Sequence, residues 1–280
     1  MVVRQRGRVG AAVVATVGLL VCTPSLTGCA GDGAAAEDAR SGPGAVQALH
    51  QAAAALVRAG SSKTRTSMEM ATGGTRVTIR GEGVYDYRGR LGRLTVTLPQ
   101  DPAGADEHRP ITELLAPGAL FMKNRGAGVP ADKWVRVDTT TLSDGNLVTG
   151  GATDPYTAAE LLRGVRKATY VGRTRIGGTE VRHYRGVADI GLAARDASAG
   201  NRKALQAAAK GFATAEVPFD AYLDDEGRIR EVRHRFSFVG GRQKTPVAVA
   251  STTVLYDFGA PADVRLPASG DIFAGKIAEQ

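Results

Sequence analysis

From about residue 64 to residue 258 the apolar side chains of this sequence recur mainly at every second position, which commits most of the chain to half-buried β-strands. Val77 and Ile79, then Leu94, Val96 and Leu98, then Val217 and Phe219, then Val232, Phe236 and Phe238 each mark one side of a strand, opposite Arg, Thr, Asp or Ser. Turn residues separate the runs: Thr72-Gly73-Gly74, Pro117-Gly118, Ile176-Gly177-Gly178 and Asp224-Asp225-Glu226-Gly227. The period changes to a helical one in three places. Val46, Leu49, Ala53, Leu56 and Val57 predict an amphipathic helix over 44–59 closed by Gly60. Asp154-Pro155 opens a second helix running to Arg163, and an Ala-rich third lies between Ile190 and Lys210, interrupted at Ser198-Ala199-Gly200. About eleven strands with about three helices inserted between runs of strands predict an α+β fold built on a large antiparallel sheet.

At 280 residues, 43% hydrophobic and 23% charged, the chain suits a single globular domain, with a core built from small aliphatics because aromatics make up only 5%. The formal charge is +8, and loss of Arg4, Arg6 and Arg8 with a leader would leave +5. The remaining basic residues are scattered rather than gathered on one helix or beside stacking aromatics, so nucleic-acid binding is not expected.

Met1 to Arg8 is basic, Val9 to Val21 is a short apolar run, and Leu26-Thr27-Gly28-Cys29 follows. That is the layout of an export signal, and its last four residues resemble the bacterial lipobox, whose cysteine receives a diacylglyceryl group. The expected organisation is a signal peptide over 1–28, a flexible tether rich in Ala, Gly, Asp and Ser over 29–43, one domain over 44–270 and a tail over 271–280. Of the two cysteines, Cys22 lies inside the leader, so no intramolecular disulfide is expected.

No Gly-x-Ser-x-Gly elbow, phosphate-binding glycine loop, His-Glu-x-x-His or cysteine pair follows Cys29. His50, His108, His183 and His234 lie in four separate segments without ligand spacing. Asp224-Asp225-Glu226 stands before Gly227 between two alternating strands, where a turn needs those residues. No catalytic residue, metal or cofactor is therefore expected.

The ordered features resemble the LolA-like lipoproteins of the LppX, LprA and LprG type from the envelopes of high-GC Gram-positive bacteria. The resemblance is carried by the lipobox, the helix at 44–59, Lys133-Trp134-Val135-Arg136-Val137-Asp138, and Thr179-Glu180-Val181-Arg182-His183-Tyr184-Arg185-Gly186. It is carried further by the run from Val217-Pro218-Phe219-Asp220 through Gly227-Arg228-Ile229 and by Tyr256-Asp257-Phe258-Gly259. It implies a curved half-barrel of about eleven strands with helices across its open side, enclosing an apolar cavity that holds acyl chains of lipids or glycolipids. The ten apolar residues named first are then the candidate pocket, although a filled core satisfies their alternation equally well.

The expected protein is a monomeric carrier of lipid or glycolipid on the extracytoplasmic face of the cell membrane, held there by lipidated Cys29. A structural or signalling lipoprotein with a filled core and a protein-binding surface is the alternative; an enzyme built around His183, His234 and scattered carboxylates has the least support. Cys29→Ala should abolish incorporation of radiolabelled palmitate, and a variant that stayed labelled would overturn the assignment.

Overall fold

A computed structural model describes residues 42–275 of the chain except 73, 100–108, 127 and 241–244. The expected export signal, Cys29 and most of the expected tether lie outside the described residues. Eleven strands form one antiparallel sheet, and four helices pack on one of its faces. The open antiparallel half-barrel with covering helices expected from the sequence is the architecture found.

The first helix, α1 (Pro43–Ala59), begins with proline in its first turn and buries Ala45, Leu49, Ala52, Ala53 and Leu56, the helical spacing of one stripe. Gly60, at φ 87°, ends it by donating its N–H to the carbonyls of Leu56 and Val57. Six strands follow: β1 (Ser61–Thr72), β2 (Thr75–Asp86), β3 (Leu91–Thr97), β4 (Ile111–Ala116), β5 (Ala119–Lys123) and β6 (Val135–Asp138). The chain then crosses through 139–154, helix α2 (Pro155–Leu161) and a 3₁₀ turn to β7 (Val165–Ile176) and β8 (Thr179–Asp189). Helices α3 (Ile190–Asp196) and α4 (Ala199–Gly211) precede β9 (Glu216–Leu223), β10 (Ile229–Gly240) and β11 (Thr245–Tyr256).

The third helix expected from the sequence is two helices. Ala197 takes an extended conformation at the end of α3, and Ser198 donates its N–H and hydroxyl to the buried Glu160 carboxylate of α2 at 2.8 and 3.0 Å, which holds the break. Asp154 and Asp189 cap α2 and α3 by accepting from Thr157 N–H and Leu192 N–H, contacts of about 1 kcal/mol each.

Across the sheet the strand order is β6-β5-β4-β3-β2-β1-β11-β10-β9-β8-β7. The first and last strands lie side by side in the middle, Lys63 opposite Tyr256 through Ala71 opposite Ala248. The free edges are β6 and β7. From Asp257 onward the chain runs along the outer face, where Val264 joins Leu114, Ala119 and Phe121 in a small second cluster. Trp134 exchanges backbone hydrogen bonds with Asp271 and Phe273, both 2.8 Å, so residues up to Phe273 are tied to the sheet.

Curvature is supported by glycine. Gly81 and Gly83 of β2 lie on the helix-covered face, and a methyl group on Gly83 would come within 1.9 Å of the Arg93 carbonyl oxygen. Gly83→Ala should therefore lower stability by about 1–3 kcal/mol, seen as a lower urea midpoint at unchanged slope; an unchanged midpoint would show that β2 and β3 can separate freely there.

Candidate functional site

The pairing registers decide which side chains share the covered face. Met68 faces Ile79 and Met70 faces Val77, while Gly83 and Gly81 face Leu94 and Val96. His234 faces Phe219 on one side and Ser251 on the other, with Val232 opposite Thr253 and Phe236 opposite Val249. Nine of the ten apolar residues read from alternation thus fall on one face, and Leu98 continues it one residue beyond β3.

Their environments differ along the strands. Ile79, Leu94, Val96, Val217, Phe219, Val232 and Phe236 are buried in the main core, whereas Val77, Leu98 and Phe238 are only partly buried against it. Met70 and Val247 are partly buried too, and all five gather at the end of the sheet that carries the β1–β2 and β10–β11 turns. Phe212, just past α4, stacks on Phe236 at 4.7 Å between ring centres and bridges to Phe238. The inner face is closed in its middle and apolar at this mouth.

Closure of the middle comes largely from 139–154, which the sequence pattern did not single out. Leu147, Val148 and Ala152 are buried in the main core. A methyl group on Gly151 would stand 3.2 Å from Ile79 and 3.4 Å from Val96, so the segment seats closely on candidate pocket residues. Its shape is set internally: the buried Asp144 carboxylate accepts from the N–H groups of Asn146, Val148 and Thr149 and from the Thr149 hydroxyl. Gly150 N–H donates to Asn146 Oδ1, and the Thr153 hydroxyl lies 3.1 Å from Leu147 O and 2.6 Å from Ser251 Oγ of the sheet.

Beneath and beside the segment runs a polar line. Thr64 and Thr66 of β1, Ser251 and Thr253 of β11 and His234 of β10 are all buried on the inner face. Among the described residues, the hydroxyls of Thr64 and Thr66 and His234 Nε2 have no hydrogen-bonding partner. Burial pulls the His234 imidazole down to about 4, so it is neutral near pH 7. Glu113 of β4 is buried on the same face opposite Leu94 and Met122, with neither oxygen hydrogen-bonded. Burial pushes its carboxyl up to about 8 against a weaker opposing pull from Arg125. Sequence reasoning passed over Glu113, although in Ile111-Thr112-Glu113-Leu114-Leu115 it shares the parity of Ile111 and Leu115.

The remaining sequence candidates lie elsewhere. His183 is on the outer face, stacked on Tyr222 and 2.9 Å from Asp220, whose carboxylate also meets Arg185 and Arg235 at 2.8 and 3.0 Å. Hydrogen bonds from Arg185, His183 and Arg235 outweigh the opposing effect of burial and hold Asp220 down at about 2. His50 sits on α1, its Nε2 2.7 Å from the Val165 carbonyl. Asp224 accepts from Arg228 N–H and Nε within its turn. His108 lies outside the described residues.

The Glu113 proton gives a pH test. The folded state retains a proton up to about pH 8 that the unfolded carboxyl releases near its ordinary 4.5, so stability falls as pH rises through that interval. Glu113→Gln removes this slope, and the variant's urea midpoint should climb relative to that of the parent from pH 5 to about pH 8; parallel pH profiles would mean that the carboxylate is already ionised and solvated in the fold.

No protein-family model matches the chain, and neither does any curated protein. Among solved structures it is similar to the lipoprotein LppX of Mycobacterium tuberculosis, at 11% identity over 80% of this chain and 99% of that one, with a TM-score of 0.47. It is also similar to LprF of Mycobacterium bovis, at 14% identity over 82% and 99% of the two chains and a TM-score of 0.40. The MucA/MucB complex of Pseudomonas aeruginosa gives 14% identity over 84% of this chain and 63% of that one, with a TM-score of 0.32. These likenesses are remote and lend no residue of this chain a role.

Proposed function

We propose that this protein is a lipid-binding lipoprotein of the cell envelope that takes acyl chains against the inner face of its sheet and is held at the membrane by lipid on Cys29. The observation that carries this reading is the apolar mouth formed by Met70, Val77, Leu98, Phe238 and Val247, which continues into the buried apolar face beneath 139–154. Partly buried apolar side chains at the open end of a half-barrel suit an apolar ligand better than water.

In this reading 139–154 is the element that yields. It has no helix or strand, and the Asp144 hydrogen bonds are internal to it. Thr153 bonds Ser251 of β11 and Arg125 donates to the Thr149 carbonyl, while Asp154 is fixed by Tyr85 of β2 and by its cap on α2, so the part that yields is 140–153 with Asp154 as its fixed end. The protein's own contribution is then shape and apolarity, and carriage rather than catalysis is the proposed activity.

A second reading, a lipoprotein with a filled core that presents a protein-binding surface, draws support from the burial of seven of the ten candidate residues to 8% exposure or less. Pinning 139–154 separates the two. In the full-length protein, Thr153→Cys with Ser251→Cys replaces hydroxyls 2.6 Å apart by a disulfide. Saturable uptake of a fluorescent long-chain acyl probe should be lost in the oxidised variant and restored by a reductant. A parent protein that takes up no probe and yields no lipid in native mass spectrometry overturns carriage in favour of the filled core; undiminished uptake by the oxidised variant overturns the role given to 139–154.

A further inference from the structure

The β7 edge combines features that defence of an edge strand does not explain together. Hairpin 165–189 carries six basic residues, Arg166, Lys167, Arg173, Arg175, Arg182 and Arg185, against Glu180 and Asp189. Lysines, arginines and bulges do protect an edge from pairing with other chains. Exposed apolar residues do the reverse, yet Val171 and Val187 are 51% and 41% exposed. The register steps from Tyr170 opposite Tyr184 to Gly172 opposite His183, so Val171 stands out at a bulge. Val187 lies opposite Lys167 one bulge away.

Charge is available at this edge. Arg166 reaches Asp189, Arg173 pairs with Glu180, and Arg185 pairs with Asp220. Lys167 and Arg175 are exposed and form no ion pair within 4 Å among the described residues; Glu180, opposite Arg175 in the register, is taken by Arg173. A cleft of about 1340 Å³ opens between the start of α1 and this hairpin, lined by Val46 and Ala168 as well as Lys167 and Arg185. The described chain also begins here, with Gly42 N–H 3.4 Å from the Ala168 carbonyl.

We infer that the β7–β8 edge is a membrane-docking surface that meets an anionic phospholipid bilayer, Lys167 and Arg175 lying among headgroups and Val171 and Val187 reaching the level of the first acyl carbons. Unpaired cations beside apolar tips match the charge and the polarity gradient of such a surface. The bilayer is the committed occupant because a second copy pairing strand to strand would set these like charges against each other. The inference does not need the acyl cavity. It shares with the proposed function only the anchor, which lies thirteen residues before Gly42.

The test uses the full-length lipidated protein in vesicles, with a polarity-sensitive fluorophore on Val171→Cys and a control on Arg136→Cys at the opposite edge. Flotation with phosphatidylcholine vesicles reports the anchor independently. With phosphatidylglycerol added, the label at 171 should shift to the blue and be quenched by brominated lipid, while the label at 136 stays unchanged. High salt, or Lys167→Glu with Arg175→Glu, should abolish the response without loss of flotation. A label at 171 that remains unquenched, that responds equally to neutral vesicles, or that is protected by dimerisation in the absence of lipid overturns the docking surface.

Discussion

Pairing of the first strand with the last governs this architecture. Because β1 is flanked by β2 and β11, one meander grows outward to β6 and the other returns inward from β7, leaving the two edges far apart in the sheet and adjacent in sequence. The link from β6 to β7 must therefore cross a face. On the outer face, the region of β4 to β6 is occupied by the segment around Val264 and Ile272, and the crossing runs over the inner face with α2. Helix α1 makes a similar traverse, from Ala168 of β7 to Gly60 at the start of β1. The covering of the half-barrel is a result of its connectivity as much as of amphipathic helices.

That covering brings polar groups into contact with apolar ones. Thr64, Thr66, Ser251, Thr253 and His234 occupy the adjacent strands β1, β11 and β10, while Phe219, Leu94 and Val96 on either side are fully buried. A buried polar group without a partner costs roughly 1–3 kcal/mol, so the Thr64 and Thr66 hydroxyls and His234 weaken the fold near its centre, and Glu113 weakens it at β4. Loss of hydration by the charged forms, imidazolium and carboxylate, explains both displaced titrations without any nearby charge acting as the main cause. Native folds keep few such groups, and they concentrate where a structure must change or bind.

Alternation was legible because a one-residue slip would have moved every apolar side chain to the other face, so parity alone assigned Val77, Leu94, Phe219 and Phe236 correctly to one side. The break between α3 and α4 was half legible: Ser198-Ala199-Gly200 signalled an interruption, but the partner that fixes it, Glu160, is distant in sequence. Burial of 139–154 was not legible. Its Leu142, Leu147 and Val148 stand among Gly, Ser, Thr and Asp with no period, and what buries them is the path the chain must take between the edges. Likewise the three-way contact of Asp220 joins residues from β8 and β10 that only the registers bring together.

The central seam between the chain's two ends also sets an order of events for folding. Until residues 245–256 are available, β1 has only β2 beside it, and the β7–β10 array has no strand through which to join the first meander. Contacts of this sequence separation close late and slowly. During synthesis the two meanders would exist as separate, half-covered sheets, each with an apolar face and an open inner edge, and the seam would form only with the arrival of the last strand. A truncation just short of β11 would therefore remove more than one strand: it would leave two sheets where the complete chain has one.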